Sequence, residues 1–404
     1  MTMKHLFPIL LLLAPLFAGA QCPDTADFIR PPYLQRGDTV GIVAPAGKLP
    51  LKTDTAKVRQ RFESWGLHVK FGAHCADREQ PYFAGTDEER AADLQAMIDD
   101  RSVKAVIAYR GGYGSVRLLP LIDLGRLREH PKWVVGFSDI TMLHLALRRL
   151  GIESIHGPMP GSFLFDEEDP SAESLRQALF GETVRIEVEP HPLNQPGEAS
   201  GRLAGGNLTV IGSATGTPEE LLTDAPTVLL IEEVGEFVYR IDRLMQSLAR
   251  SGKLGSVKAV LVGHFSDMMG MKKFGVADAD AVVSAYTRPL GIPVVFGFPA
   301  GHVEPNAAVY LGRRVTVSVD ESFRVSIRGG ISSFTITAMT AEDYPELPDV
   351  NDGRPIQIPQ SKLKELISGT IFAVADNQAR PIHNGVKFEV SDTAVTTVAV
   401  DGFR

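Results

Sequence analysis

Three polar residues, far apart along the chain, have the types that nucleophilic acyl transfer uses: Ser138, Glu232 and His302. This chemistry requires a hydroxyl that attacks, an imidazole that removes its proton, and a carboxylate that fixes the imidazole tautomer. Each residue also has an ordinary interpretation, since serine often caps a helix, glutamate can end a strand and histidine can be solvated in a turn. Spacing in the sequence does not show whether the three meet, so a catalytic triad is a hypothesis.

Ser138 stands where a buried strand is predicted to turn into a helix, within the stretch Val134-Val-Gly-Phe-Ser-Asp-Ile-Thr141. A sharp turn of this kind exposes the hydroxyl, and the unpaired N–H groups of the first helical turn point the same way. The pattern resembles a nucleophile elbow, but Ile140 occupies the position of the second glycine of that motif. Taken alone, the motif therefore favours a helix N-cap over a nucleophile.

Three further motifs could complete such a site. The glycines of 111–114 follow a predicted strand and would let backbone N–H groups approach an oxyanion or a phosphate. Their spacing matches neither the dinucleotide-binding fingerprint nor the P-loop, and a tight turn is the commoner explanation. Glu232 ends the apolar run 229–231, where a carboxylate is costly unless a donor or a positive charge meets it. His302 follows the run 294–296 in a turn, where it can titrate near neutral pH as a general base must.

The elements that must position these residues are predicted to form α/β domains. In the first, residues 36–162, short β-branched runs alternate with amphipathic helical segments, the pattern of a parallel sheet covered by helices. Its predicted strands are 39–44, 103–109 and 133–137, and its predicted helices are 53–65, 86–100 and 140–150. The second of these helices opens with a capping box at 86–89.

Residues 163–200 are acidic and contain several prolines, so we interpret them as the connection to a second domain at 201–328. The strands predicted in this second domain are 227–231, 259–262, 293–296 and 314–319. Their order is again α/β, with an antiparallel arrangement at the end.

Composition excludes several classes of protein. With 44% hydrophobic and 22% charged residues among 404, the chain is not predicted to be disordered. Its 41 Lys and Arg against 49 Asp and Glu give a net charge of -8, which argues against nucleic acid or an anionic membrane as a partner. No apolar run reaches the roughly 20 residues of a membrane span. The ten histidines show no metal-ligand spacing, so we predict no metal and no cofactor.

The N-terminus has the order of a secretory signal peptide at residues 1–20, with a basic start, an apolar run and a small-residue end at Ala18-Gly19-Ala20. We therefore expect export to the periplasm or the medium, and a cytoplasmic location only if this leader does not function. Cys22 lacks the directly preceding small residue of a lipoprotein signal, so no lipid anchor is predicted. Cys22 and Cys75 are the only cysteines, and a disulfide and two free thiols are both left open.

Eight motifs, in order over residues 36–328, resemble the LD-carboxypeptidase family of serine peptidases. They are Val40-Gly-Ile-Val-Ala-Pro-Ala, Arg110-Gly-Gly-Tyr-Gly, Gly136-Phe-Ser-Asp-Ile-Thr, His156-Gly-Pro-Met, Gly205-Gly-Asn-Leu, Glu232-Glu-Val-Gly-Glu, Tyr239-Arg-Ile-Asp-Arg and Gly297-Phe-Pro-Ala-Gly-His. An ordered set of this kind is far more specific than any one of its members.

The resemblance implies roles for individual residues. Ser138 would be the nucleophile, His302 the base and Glu232 the third member, with the backbone N–H groups of Gly112 and Asp139 as the oxyanion hole. It also implies a Rossmann-like N-terminal domain that carries the serine. A smaller C-terminal α/β domain would bring the glutamate and the histidine to it across a cleft.

The family that the chain resembles cleaves an LD-peptide bond and releases a C-terminal D-amino acid, D-alanine, from peptidoglycan tetrapeptides. We expect this activity, through an acyl-enzyme, on a small wall peptide. One alternative is a related serine hydrolase that cleaves peptidyl- or aminoacyl-adenylate antibiotics and confers self-immunity, and another is a non-catalytic protein that binds muropeptides. Arg110, Arg240 and Arg243 could receive the peptide carboxylate, although arginines on a helix more often pair with surface acids. The oligomeric state, including a homodimer, is left open.

After residue 330 the sequence changes character, and residues 332–404 resemble a fragment of the bacterial β sliding clamp of DNA polymerase. The matching stretches are 333–348, 358–367, 372–374, 380–389 and 400–404. Because a clamp is a closed ring of complete domains, a fragment cannot encircle DNA. We therefore predict a non-functional α+β tail with a helix at 362–367 and strands at 387–390 and 396–400, and we regard a replication role as incompatible with export.

Overall fold

In the computed structural model the chain divides into two compact units, Met1–Asp343 and Tyr344–Arg404. The structure describes residues 28–49, 55–76, 80–163, 169–184, 186, 188, 191–223, 225–270, 278–320, 325–329, 332–336, 358–370, 373, 386–390 and 395–399. The predicted signal peptide at 1–20 and Cys22 lie outside these residues. Cys75 is described as a buried free thiol, and burial raises its pKa to about 12.

The first unit contains two sheets and the helices that pack on them. The strands are β1 (Thr39–Val43), β2 (His68–Phe71), β3 (Val103–Ala108), β4 (Trp133–Gly136), β5 (Ser154–His156), β6 (Gly197–Asn207), β7 (Thr227–Val234), β8 (Val257–Ser266), β9 (Val294–Val295), β10 (Val309–Leu311), β11 (Arg314–Val319), β12 (Val325–Gly329) and β13 (Ser332–Ile336). The helices are α1 (Thr55–Ser64), α2 (Asp87–Asp99), α3 (Arg126–Glu129), α4 (Thr141–Arg149), α5 (Pro160–Phe163), α6 (Pro170–Phe180), α7 (Leu208–Ser213), α8 (Val238–Arg250) and α9 (Ala279–Thr287).

The first sheet has the order β10-β5-β4-β3-β1-β2. Its pairs are parallel except at the edge, where β10 runs antiparallel to β5. The predicted parallel sheet with helical cover is thus confirmed, and the capping box predicted at 86–89 opens α2. The buried strands are rich in valine and isoleucine because helices cover both faces of the sheet.

The second sheet has the order β13-β12-β11-β6-β7-β8-β9. Strands β6 to β9 pair in parallel, whereas β11, β12 and β13 are antiparallel, as predicted for the end of this region. The α/β fold class is therefore confirmed. The segment 163–200, interpreted from the sequence as a connection, contains α6 and the start of β6.

Helix α4 packs against both sheets. Met142 and Leu145 on this helix belong to a buried cluster with residues of the second sheet, and Leu143 and Leu147 belong to a cluster of the first. The hydroxyl of Thr141, the first residue of α4, accepts a hydrogen bond of 3.0 Å from the backbone N–H of Asn207 at the end of β6. The carboxyl ends of the two sheets are therefore joined at the start of α4.

The second unit is described only at its helix and its hairpin. Helix α10 (Gln360–Ser368) and the antiparallel pair β14 (Lys387–Val390) and β15 (Val395–Val398) occur where the sequence predicts a helix and two strands. In the described part of the chain, no helix combines the length and the apolar character that crossing a membrane requires.

Candidate active site

Ser138 lies at the sharp turn between β4 and α4 and has a left-handed backbone conformation, with φ of 62°. Among the described non-glycine residues, only Asp267 shares a positive φ. Ser138 makes no capping hydrogen bond, and neither α4 nor the 3-10 turn that precedes it has a side-chain cap. The N-cap interpretation is therefore wrong, and the turn has the strained geometry of a nucleophile elbow.

The departure from the elbow motif at Ile140 has a structural explanation. A Cβ atom on Gly136 would lie 2.8 Å from the side chain of Ile140, which occupies the space that a side chain at 136 would need. Since Gly136 has no side chain, the branched residue at 140 fits beneath the turn. The elbow thus needs one glycine where the usual motif has two.

The loop after β3 packs directly on Ser138. A Cβ atom on Gly111 would lie 2.9 Å from Ser138 Cβ and 3.1 Å from Ser138 Oγ. Ser115 fastens this loop to the elbow, because its backbone N–H donates to the Asp139 carboxylate at 2.8 Å and its hydroxyl donates to the Asp139 carbonyl at 2.7 Å. Sequence reasoning missed Ser115, and its position after the glycine run was the available signal.

The two groups predicted for an oxyanion hole lie on either side of Ser138. Gly112 has φ of 117°, which suits glycine, and Asp139 is buried directly after the serine. Within the described residues, neither the N–H of Gly112 nor that of Asp139 donates to a protein acceptor. Both groups are therefore available to an oxyanion, and whether they bind one stays a prediction.

Glu232 and His302 form a hydrogen-bonded pair, in which His302 Nδ1 lies 2.9 Å from Glu232 Oε2. The carboxyl group is fully buried in β7, and the imidazole is 26% exposed. Burial raises the pKa of Glu232, while the hydrogen bond from His302 opposes that shift. With Nδ1 as the donor of this bond, Nε2 is the ring nitrogen that can accept a proton, which is the tautomer that a general base requires.

The backbone around His302 is fixed by neighbouring polar groups. Ser266 Oγ donates to the carbonyl oxygen of His302 at 2.7 Å, and the N–H of Gly301 donates to Asn306 Oδ1 at 3.0 Å. A side chain at Gly301 would lie 2.5 Å from Glu232 Oε2, so only glycine permits the close approach of this turn to the carboxylate. Sequence reasoning missed Ser266 and Asn306, since neither lies in a motif that carries chemistry.

The Glu232–His302 pair lies beside the elbow. The imidazole of His302 meets the ring of Phe137, the residue before Ser138, edge to face with ring centroids 4.9 Å apart. Among the described residues, no hydrogen bond joins Ser138 Oγ to His302, a bond that is often long in the absence of substrate. The Glu232–His302 pair thus lies next to the residue before Ser138, and the meeting of the imidazole with the Ser138 hydroxyl stays a prediction.

Two further histidines lie under the elbow, and burial keeps both neutral. Burial lowers the pKa of His144 to about 4 and that of His156 to about 3. The ring nitrogens of His144 lie 2.9 Å from Ser154 Oγ and 2.9 Å from the carbonyl oxygen of Gly136, which ties α4 to the strand before Ser138. His156 packs against Phe137 at a centroid distance of 6.0 Å.

The arginines that could receive a substrate carboxylate differ in their surroundings. Arg240 forms an ion pair of 3.2 Å with Glu236, and the guanidinium of Arg243 lies over the ring of Tyr239. Arg110 is exposed next to the loop that packs on Ser138. In the described segments, no group of three or more His, Cys, Asp and Glu side chains is arranged to hold a metal ion.

Comparison with known families identifies the family of this chain. The model of the LD-carboxypeptidase N-terminal domain matches residues 40–157, and that of the LD-carboxypeptidase C-terminal domain matches residues 200–317. The chain belongs to the LD-carboxypeptidase family. The carboxypeptidase class predicted from the ordered motifs is thereby confirmed. A third match, at residues 357–404, is to the central domain of the DNA polymerase III beta subunit.

Individual members of the LD-carboxypeptidase family align over nearly their whole length. A probable murein peptide carboxypeptidase of Bacillus subtilis (strain 168) is 38% identical over 75% of this chain and 95% of its own. The murein tetrapeptide carboxypeptidase of Pseudomonas aeruginosa is 32% identical over 68% of this chain and 91% of its own.

Solved structures show the same architecture. The muramoyltetrapeptide carboxypeptidase of Oxalobacter formigenes is 29% identical, with a TM-score of 0.64 over 73% of this chain and 99% of that structure. An MccF-like protein of Bacillus anthracis, 23% identical, shares the fold with a TM-score of 0.63 over 74% of this chain and 98% of its own.

Proposed function

We propose that the protein is a serine-type LD-carboxypeptidase that removes a C-terminal D-amino acid, D-alanine, from peptidoglycan tetrapeptides. The observation that carries the proposal is the strained Ser138 next to Phe137, whose ring contacts the imidazole of the His302–Glu232 pair. The names of the relatives from Bacillus subtilis, Pseudomonas aeruginosa and Oxalobacter formigenes support a wall-peptide substrate.

In the proposed mechanism, Ser138 Oγ attacks the carbonyl carbon of the LD-peptide bond while His302 Nε2 takes the hydroxyl proton. The N–H groups of Gly112 and Asp139 donate to the oxyanion, which stabilises the tetrahedral species by about 3 kcal/mol per donor. The imidazolium returns the proton to the leaving amine, and D-alanine departs. His302 then removes a proton from water, which hydrolyses the ester and regenerates Ser138. Glu232 holds the imidazole in the required tautomer throughout.

The test is release of D-alanine from an LD-linked wall tetrapeptide by the purified protein and by its Ser138→Ala variant. We expect turnover by the natural protein and a loss of about 1,000-fold or more in the variant, with peptide affinity largely retained. Hydrolysis of an aminoacyl sulfamoyl-adenylate without release of D-alanine would instead indicate an antibiotic-cleaving enzyme. Equal, minimal turnover by both proteins would indicate a peptide-binding protein.

We also propose that residues 1–20 direct export and that residues 357–404 are a sliding-clamp-like fragment without a function of its own. The fragment begins later than the predicted residue 332, because β13 at Ser332–Ile336 pairs with β12 in the second sheet. The order of charged, apolar and small residues supports the first proposal. The match at residues 357–404 supports the second. A mass measurement on the protein from its natural source tests both, because it reports cleavage after Ala20 and the position of the C-terminus.

A further inference from the structure

Arg110 lies two residues after the end of β3, and its neighbour Gly111 packs against Ser138. The side chain of Arg110 crosses the carboxyl edge of the first sheet. The Cβ atom of Arg110 lies 3.7 Å from where a Cβ on Gly161 would stand, and its Nε atom lies 3.2 Å from the corresponding position on Gly47. The guanidinium therefore reaches from the α5 side of the site towards the loop after β1.

Nothing in the described structure neutralises this charge. Arg110 is exposed and forms no ion pair with a described acid, whereas Arg117, which follows on the same loop, lies 2.6 Å from Asp87. Arg240 is likewise paired with an acid, at 3.2 Å from Glu236. An exposed guanidinium that no described carboxylate pairs with, one residue from the glycine that packs on Ser138, is well placed to bind an anionic group of the substrate.

We propose that Arg110 binds the terminal carboxylate of the substrate and so restricts cleavage to the last peptide bond, an inference that rests on the proposed function. In a peptide cleaved at its last bond, the carboxylate carbon lies only about 4 Å from the attacked carbonyl carbon, as standard bond lengths dictate. The anion must therefore lie close to Ser138, within the reach of an arginine two residues from the oxyanion-hole candidate Gly112. A planar guanidinium can hold both carboxylate oxygens, which a lysine cannot do.

The test compares two peptides, an LD-tetrapeptide with a free terminal carboxylate and the same peptide with a terminal D-alanine amide. We expect the natural protein to favour the carboxylate in kcat/KM by about 10- to 100-fold, the range for a hydrogen bond to a charged group. In Arg110→Met this preference should fall to about threefold or less, because kcat/KM decreases for the peptide with the free carboxylate and stays the same for the peptide amide. Arg110→Lys, which keeps the charge but not the planar fork, should be intermediate.

Arg240→Met is the matched control, because it removes an exposed arginine that is paired with Glu236. It should leave the preference for the carboxylate unchanged. A preference that survives in Arg110→Met, or one that is lost in Arg240→Met instead, overturns the assignment while leaving the carboxypeptidase intact. Equal losses on both peptides in Arg110→Met would indicate a structural role and also overturn it. Failure of the natural protein to release D-alanine or D-alanine amide would overturn the proposed function and this inference together.

Discussion

Ser138 holds a conformation that costs about 1–3 kcal/mol for a residue with a side chain. Such strain persists only where the surroundings enforce it. Gly111 packs on the serine from above, Ser115 bonds twice to Asp139, and Gly136 leaves room for Ile140 beneath. The motif alone could not distinguish this turn from a capped helix, because the distinguishing contacts come from a loop more than twenty residues earlier in the chain.

Removing the charge of Glu232 and removing that of its neighbour Glu233 should change the stability of the protein in opposite directions. Burial raises the pKa of Glu232, so the folded state binds its proton more tightly than the unfolded state does. The buried charge therefore disfavours folding more as the pH rises through the unfolded and folded pKa values, and Glu232→Gln should raise the free energy of unfolding at pH 8 relative to its effect at pH 4. Its kcat should fall by about 10,000-fold, because an amide no longer enforces the tautomer of His302. Urea unfolding and D-alanine release measure the two effects.

Glu233→Gln is the matched control. The Glu233 carboxylate accepts hydrogen bonds from the side-chain amide of Asn207 and from the backbone N–H groups of Thr209 and Val234, at 2.8, 2.7 and 3.0 Å. A glutamine amide would turn a donor towards these donors, so this variant should lose about 1–3 kcal/mol of stability. The same loss at pH 8 in both variants would contradict the assignment of Glu232 as a desolvated partner of His302.

Among the helices and strands, local pattern predicted those with a continuous β-branched or amphipathic run, such as β11, whose predicted bounds match the structure. It missed β6, because the glycine-rich stretch Gly197–Asn207 has low strand propensity and is held by its neighbours in the sheet. It also missed the three-residue β10, whose pairing with β5 joins distant parts of the chain. Helix α6 was also missed, because residues 163–200 were interpreted as a connection, although Asp169, Pro170 and Gly181 carry the signals of its N-cap, first residue and C-cap.

The buried histidines of α4 and β5 should make the fold sensitive to acid. In the folded state the pKa of His144 is about 4 and that of His156 about 3, against about 6.5 in an unfolded chain. As the pH falls, the histidines of the unfolded state take up protons at a higher pH than those of the folded state. The free energy of unfolding therefore has its full value above pH 6.5 and decreases as the pH drops towards 4. Each histidine should contribute a loss of about 2 kcal/mol between pH 7 and pH 5.

Urea unfolding at intervals from pH 7 to pH 4.5 measures this loss, and His156→Leu should reduce the slope by about one proton. Phe137→Leu alters the same packed group without removing a titrating side chain, so it should lower the free energy of unfolding equally at each pH. An unchanged slope in His156→Leu would show that His156 does not titrate between the folded and unfolded states.

For the molecule as a whole, the catalytic candidates depend on contacts between the two sheets of the first unit. Helix α6 illustrates this, since its residues Ser171 and Ser174 accept the backbone N–H groups of Asn306 and Ala308, just after His302. The sequence predicted the α/β class, but not this helix, which supports the turn that carries His302. Side chains that position a site from a distance lack any chemical signature of their own, and only the folded structure identifies them.

Two truncations of the C-terminus test which residues the fold of the first unit needs. A chain ending at Asp343 keeps the strands β1 to β13 that the structure describes in the two sheets. Its thermal midpoint should therefore be unchanged, and its kcat/KM should stay within about twofold of the full chain's value. A chain ending at Val319 instead loses β12 and β13, which removes the buried Ile327 and exposes the edge of β11. The loss of Ile327 alone should cost about 2–5 kcal/mol of stability, and the open edge should promote aggregation.

Thermal unfolding, light scattering and D-alanine release compare the two truncations. A loss of activity in the longer truncation would show that the tail contributes to the enzyme.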